Sequence, residues 1–181
     1  METAIPGIIL IEPTVHRDDR GFFLESYRES EYRDGGIRAR FVQDNHSSSV
    51  KDTLRGLHGQ NPNPQGKLVR VIEGEIFDVS VDVRRGSPTY GKHFATHLSA
   101  DNFHQLYIPP GVLHGFLVTS DVAQVIYKCT DFYRPEADFS VAWNDPEFGI
   151  AWPIESPILS EKDRCAPRLE DVESQLIDYA P

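Results

Sequence analysis

Apolar and polar residues alternate with period two over short stretches of this chain, and Gly, Pro, Asn or Asp separates one stretch from the next. The clearest stretch sets Phe77, Val79, Val81 and Val83 against Asp78, Ser80, Asp82 and Arg84, which is a strand with one apolar and one polar face. Residues 67–72 read as a second strand, with Glu73-Gly74 as the hairpin turn between the two. Further strands are expected at 21–26, 41–47, 92–98, 105–108, 115–119 and 122–133. In the last of these, alternation puts Tyr127, Cys129, Asp131 and Tyr133 on one face. Helices are minor: 30–35 opens on Ser30 as an N-cap and stops at Gly35, and 160–164 and 169–177 are two other short stretches. Many short strands punctuated by Gly and Pro predict an all-β fold. The form expected is a jelly-roll barrel with a few short peripheral helices, its interior suited to a ligand.

The chain of 181 residues shows no repeat, low-complexity run or linker, so one domain over residues 1–181 is expected. Its 18 Lys+Arg against 28 Asp+Glu leave a formal charge of −10, which repels nucleic acid and anionic membrane surfaces. Neither is expected as a partner, and an anionic ligand would need a local positive cluster. The longest aliphatic run, Ile8 to Ile11, is too short to cross a bilayer, and no signal peptide is visible. Cys129 and Cys165 form no C-x-x-C motif and read as reduced thiols, consistent with a cytoplasmic protein.

Three polar constellations stand out: Arg55-Gly56-Leu57-His58-Gly59-Gln60 with the following Gly66-Lys67, then Pro109 to Phe116 around His114, then Tyr127 to Tyr133. Singly, each also has a packing interpretation, since a tyrosine in an all-β protein is usually core with its hydroxyl on a backbone group. Ser160 followed by Asp163 is a helix-capping pattern. Pro109-x-Gly111-x-x-His114 resembles the second motif of the cupins. Metal-binding cupins place His-x-His on an earlier strand, where this chain reads His58-Gly59-Gln60. Losing one imidazole of such a set weakens a metal site, and metal-free use of the pocket is expected.

Asp19 to Glu25, Phe41 to Ser47, Leu54 to His58, Gln65 to Val71, Phe77-Asp78-Val79, Ser87-Pro88-Thr89 and Trp143-Asn144-Asp145-Pro146 follow one another in an order that covers nearly the whole chain. In this order they resemble the dTDP-4-dehydrorhamnose 3,5-epimerase family. The resemblance implies a cofactor-independent, homodimeric cupin barrel acting on a dTDP-sugar by proton abstraction next to a ketone. It places His58 as base and Asp163 as its carboxylate partner. Lys67 would face the C4 oxygen, and Tyr127 would be the proton donor. Such roles suit the chemistry: a histidine titrates near neutral pH, a carboxylate fixes its tautomer, and an ammonium stabilises an enolate oxygen.

The same resemblance makes Arg20 and Arg55 nucleotide-sugar contacts, with Glu25, Gln43, Asp44 and Asn45 near nucleotide or sugar. His114 becomes a second pocket histidine, Tyr133 a ring stacked on thymine, and Asp138 and Lys162 further binding positions. For Glu25 and Asp44 a surface role is the alternative. Arg20, Arg55 and Lys67 would have to converge for an acidic protein to hold a diphosphate. Two departures from the family pattern are Gly59, where an aromatic is common, and Asp138, where a glutamate is usual. One geometric conflict arises: strict alternation puts Arg55 and His58 on opposite strand faces, and a bulge at Gly56 would reconcile them. The competing functions are a single-site epimerase for another deoxysugar, a non-catalytic sugar-nucleotide binder, and a metal-dependent cupin.

Overall fold

A computed structural model describes residue 1 and residues 3–180; the ends of the expected 1–181 domain at Glu2 and Pro181 fall outside the described residues. The strands run β1 (Ile9–Ile11), β2 (Val15–Asp18), β3 (Gly21–Leu24), β4 (Gln43–Val50), β5 (Leu54–Gln60) and β6 (Lys67–Glu73). After them come β7 (Glu75–Asp82), β8 (His93–Ser99), β9 (Gln105–Ile108), β10 (Val112–Val118), β11 (Val122–Cys129) and β12 (Asp138–Ser140). Short helices α1 (Glu29–Asp34) and α2 (Glu161–Arg164) lie outside them. Two five-stranded antiparallel sheets, ordered β1-β9-β6-β11-β4 and β12-β5-β10-β7-β8, face each other as a jelly roll, and β2-β3 form a separate ribbon.

Glu73-Gly74 is a corner, not the hairpin expected, because β6 pairs with β9 and β11 in one sheet while β7 pairs with β8 and β10 in the other. Gly74 (φ 72°) permits the crossing: a Cβ there would lie 2.0 Å from the carbonyl oxygen of Val122. The polar face of β7 also has an unexpected destination. Phe77, Val79, Val81 and Val83 pack outward beneath Phe148, Leu169, Val172 and Leu176 of the C-terminal segment. Alternation therefore turns Asp78, Ser80 and Asp82 into the barrel, all fully buried.

Inside, each strand changes character along its length. Val69 and Val71 of β6, Ala123 and Val125 of β11 and Phe116 and Val118 of β10 close one end of the barrel with Ile76, Leu98, Leu106 and Ile108. Toward the other end the same inward rows continue as Lys67, Tyr127 and His114. An apolar plug at one end thus leaves a polar chamber at the other.

The expected strand 122–133 stops at Cys129, so Asp131 and Tyr133 do not share the Tyr127 face. Thr130 ends it by donating its N–H to Gly66 O at 3.0 Å and accepting the Gly66 N–H on Oγ1 at 2.7 Å. α1 begins one residue before Ser30 and carries no side-chain cap, although Gly35 does terminate it. Ser160 is the N-cap expected of α2, whereas 169–177 forms two 3-10 turns, Leu169–Asp171 and Glu173–Gln175. Strands β1, β2 and β12 are not among those expected; β1 and β12 are three residues each, too short to show alternation.

Gly74→Ala should cost ~3 kcal/mol, since a left-handed backbone and a backbone collision add, lowering Tm by roughly 6–12 °C. Gly91→Ala, at φ 74° with nothing within 4 Å, should cost only about 1 kcal/mol in urea unfolding. Equal losses would show that Gly74 is no special corner.

Candidate active site

The polar chamber has a volume of about 270 Å³ and is walled by both sheets. Gln43 and Asn45 of β4, Lys67 of β6 and Tyr127 of β11 come from the first sheet. His58 and Gln60 of β5 and Asp138 of β12 come from the second, and Gln65 and Tyr133 reach in from loops. Gln175, Leu176 and Ile177 of the C-terminal segment close one side.

β5 resolves the conflict between Arg55 and His58. Against β10, His58 pairs with His114 but Arg55 pairs with Phe116, so three steps on β5 oppose two on β10. That extra residue is a bulge at Gly56 (φ 111°), where a Cβ would lie 2.6 Å from His114 O and 2.7 Å from Gly115 Cα. With the bulge, His58 enters the chamber and Arg55 still reaches the first sheet, donating from Nε to Ser49 Oγ at 3.0 Å.

His58 Nε2 lies 2.5 Å from Asp163 Oδ1. A carboxylate only accepts, so Nε2 carries the proton and Nδ1 keeps its lone pair. Burial works to raise the Asp163 pKa, but the hydrogen bond and charge of His58, the Ser160 hydroxyl and the Gly56 N–H outweigh it and hold the carboxyl below its ordinary value. Burial pushes the His58 imidazole below its ordinary value, against the opposing pull of Asp163. Burial likewise lowers the Lys67 ammonium, against Cys129, Asp138 and Asp78, and raises the Tyr127 phenol. The chamber therefore holds an imidazole kept in its neutral free-base form, an ammonium that sheds its proton more readily than usual, and a phenol that keeps its own.

A polar chain runs along the first wall. The Tyr133 N–H donates to Gln43 Oε1 at 2.9 Å, Gln43 Nε2 to Asn45 Oδ1 at 3.1 Å, and Asn45 Nδ2 to Cys129 Sγ at 3.4 Å. At the mouth, Asp138 Oδ2 accepts the Tyr133 hydroxyl at 3.1 Å and pairs with Lys162. His114 lies buried beside His58 in the neighbouring strand, its Nε2 2.7 Å from Asp78 Oδ2. Gln60 is committed to the loops: its Nε2 donates to Asn63 O and Phe132 O, and its Oε1 accepts the Arg134 N–H. Among the described residues no three His, Cys, Asp or Glu side chains come together in a way that could hold a metal ion.

Three expected contacts stand apart from the chamber. Asp44 points to the outer face of β4, as alternation requires between Gln43 and Asn45, and pairs with Lys128 at 3.0 Å. Arg20, at the tip of the β2-β3 ribbon, has a side chain 90% exposed and pairs with Asp18. Glu25, just past the ribbon, pairs with Arg28 at 2.5 Å. The expected convergence of Arg20, Arg55 and Lys67 is therefore not made within one chain.

The space left by Gly59 is filled from elsewhere: a Cβ there would meet Phe139 Cζ at 2.6 Å and Leu113 Cδ2 at 2.9 Å. Sequence reading missed Asp78, Gln65 and the C-terminal wall. Only Asp78 carried a signal, as a carboxylate on a strand whose other face is wholly apolar.

Residues 2–171 match the dTDP-4-dehydrorhamnose 3,5-epimerase family. The chain is 52% identical over 91% of its length to the dTDP-4-dehydrorhamnose 3,5-epimerase of Methanothermobacter thermautotrophicus, of which it covers 90%. It is also 52% identical over 90% of its length to that of Neisseria gonorrhoeae, but spans only 50% of that longer relative. Its fold superposes on the crystal structure of a Legionella pneumophila dTDP-6-deoxy-D-glucose-3,5-epimerase in complex with dTDP-4-keto-L-rhamnose. The TM-score is 0.97 at 46% identity, covering 100% of this chain and 98% of that one. Fold, ordered motifs and relatives agree, and the chain belongs to the dTDP-4-dehydrorhamnose 3,5-epimerase family.

Proposed function

We propose that this chain converts dTDP-4-dehydro-6-deoxy-D-glucose to dTDP-4-dehydro-L-rhamnose by inverting C3 and C5, an isomerase step of dTDP-L-rhamnose synthesis. The observation that carries the reading is the placement of a carboxylate-backed imidazole on one sheet and a half-buried phenol on the facing sheet, with an ammonium beside the phenol. Inversion needs removal of a proton from one side of a carbon and delivery to the other.

His58 Nδ1 takes the proton from the carbon next to the C4 ketone, and the electron pair moves onto the C4 oxygen as an enolate. Asp163 stabilises the imidazolium so formed. Lys67 supplies positive charge to the enolate in a water-poor chamber, where such an interaction is strongest. Tyr127 delivers a proton to the opposite face and is re-protonated from solvent. Because C3 and C5 both flank C4, one base, one ammonium and one donor serve both centres. No step calls on a cofactor.

Gln43 and Asn45 hold the sugar side, Tyr133, Asp138 and Lys162 hold the nucleotide side at the mouth, and Arg55 is the further nucleotide-sugar contact that the family motif implies. His114, locked to Asp78, forms the floor behind His58. The ribbon supports a homodimer: β2-β3 joins neither large sheet, exposes Phe22 (58%) and Phe23 (71%), and holds Arg20 away from its own chamber, where in a dimer it would be free to reach that of a second copy. Glu25 and Asp44 would complete the nucleotide contacts from that junction. The two free cysteines support a cytoplasmic location, and no helix among the described residues is long and apolar enough to cross a membrane.

In D2O the enzyme should label the product at both C3 and C5; label at one carbon alone would establish the single-site alternative. His58→Ala should abolish exchange, a loss of at least ~1,000-fold, while dTDP binding persists. Undiminished exchange would remove His58 as the base. The pH profile of kcat/KM follows from the shifts. His58 works as the free base, and its lowered pKa puts the acid limb below pH 6.5. Lys67 works protonated, and its lowered pKa puts the alkaline limb below pH 10.5, so Lys67→Arg should move that limb upward. Sedimentation should report twice the 20.5 kDa chain mass, and a single-chain mass would overturn the dimer.

A further inference from the structure

One side chain that does not line the chamber is nonetheless built into the support of the base. Ser160 precedes α2, and its hydroxyl oxygen accepts the Asp163 N–H at 3.1 Å, as a helix cap does. Its O–H also donates to Asp163 Oδ2 at 2.8 Å. The second bond contributes nothing to the helix. It occupies the carboxylate oxygen that faces away from His58, leaving Oδ1 for Nε2 at 2.5 Å.

The position of Ser160 is itself tied to the strand of the base. Leu54 donates its N–H to Ile158 O at 3.0 Å, and Ile158 donates its own to Asp52 O at 2.8 Å. Thr53 and Ile158 form a parallel bridge. Thus β5 carries the imidazole while its leading residues hold the segment that delivers the carboxylate. Ser160 is the covalent neighbour of that segment and the hydrogen-bond neighbour of the carboxylate at once.

We propose that Ser160 is a positioning residue for the His58–Asp163 pair: its donated hydrogen bond fixes the carboxylate rotamer and shares its negative charge. This rests on the reading of His58 as base. Without the bond, Asp163 is left buried with one oxygen unpartnered. The carboxylate then bears its charge more fully toward the imidazole, which holds its proton to higher pH. Orientation loosens at the same time, so removal of the substrate proton slows while binding is untouched.

Three substitutions separate this role from simple capping. Ser160→Thr keeps both hydroxyl bonds and should stay within about threefold of wild type. Ser160→Ala should lower kcat about tenfold with KM within about twofold, as expected for one hydrogen bond to a charged group. Ser160→Asp is the decisive variant, because aspartate caps helices as well as serine does but cannot donate, and it sets a like charge beside Asp163. It should keep α2 capped yet lose at least about tenfold in kcat. Its His58 ring resonances, followed by NMR, should titrate at higher pH than in wild type.

A Ser160→Asp enzyme with wild-type kcat and wild-type His58 titration would reduce Ser160 to a helix cap and overturn the proposal. Because the titration is read without turnover, the two levels separate. A shifted titration with unchanged kcat would uphold the hold of Ser160 on the pair and overturn His58 as the base.

Discussion

A carboxylate as deeply buried as Asp163, 4% exposed, stays ionised only if donors meet it from several sides, and much of the architecture around the chamber meets that demand. His58 approaches one oxygen and Ser160 the other. Around these two contacts β5 bulges at Gly56, and the chain after Ile158 returns to the start of β5. The same bulge turns His58 into the chamber while Arg55 stays exposed and bonds Ser49 of the facing sheet. The requirement of a single buried charge thus shapes a strand, a helix start and the closure of the C-terminal segment.

The second constraint is the division of interior polarity. Apolar residues fill one end of the barrel and give it a core, which frees the other end to hold His58, Lys67, Tyr127 and the Asp78–His114 pair in a setting where charges act strongly. Facing sheets place base and donor across a gap instead of side by side, which is what inversion of a carbon demands. A single sheet could supply both groups but not on opposite sides of a substrate.

Much of this was legible along the chain. The alternation of β7, the all-β class and the capping pattern at Ser160 are local properties, and they are found where the pattern puts them. The destination of each face is not local: Asp78 and Ser80 line the interior because the C-terminal segment, some ninety residues later, covers Val79 and Val81. Gly74 looks the same in sequence whether a chain turns back on its partner or crosses between sheets, and only the pairing of β6 with β9 and β11 decides. The early end of β11 depends on Thr130 meeting Gly66, and the tolerance of Gly59 depends on Phe139 filling its place. Arg20 and Glu25 were recognisable by family motif, yet their own chain leaves them outside the chamber.

The central claim is that a proton leaves toward His58 on one sheet and arrives from Tyr127 on the other. NMR analysis of unconverted substrate during incubation of Tyr127→Phe in D2O tests it most directly. The substrate should gain deuterium at the carbon next to the ketone with its configuration retained, while formation of the epimer falls far more steeply. Loss of exchange and of epimer formation in equal proportion would contradict delivery from the facing sheet.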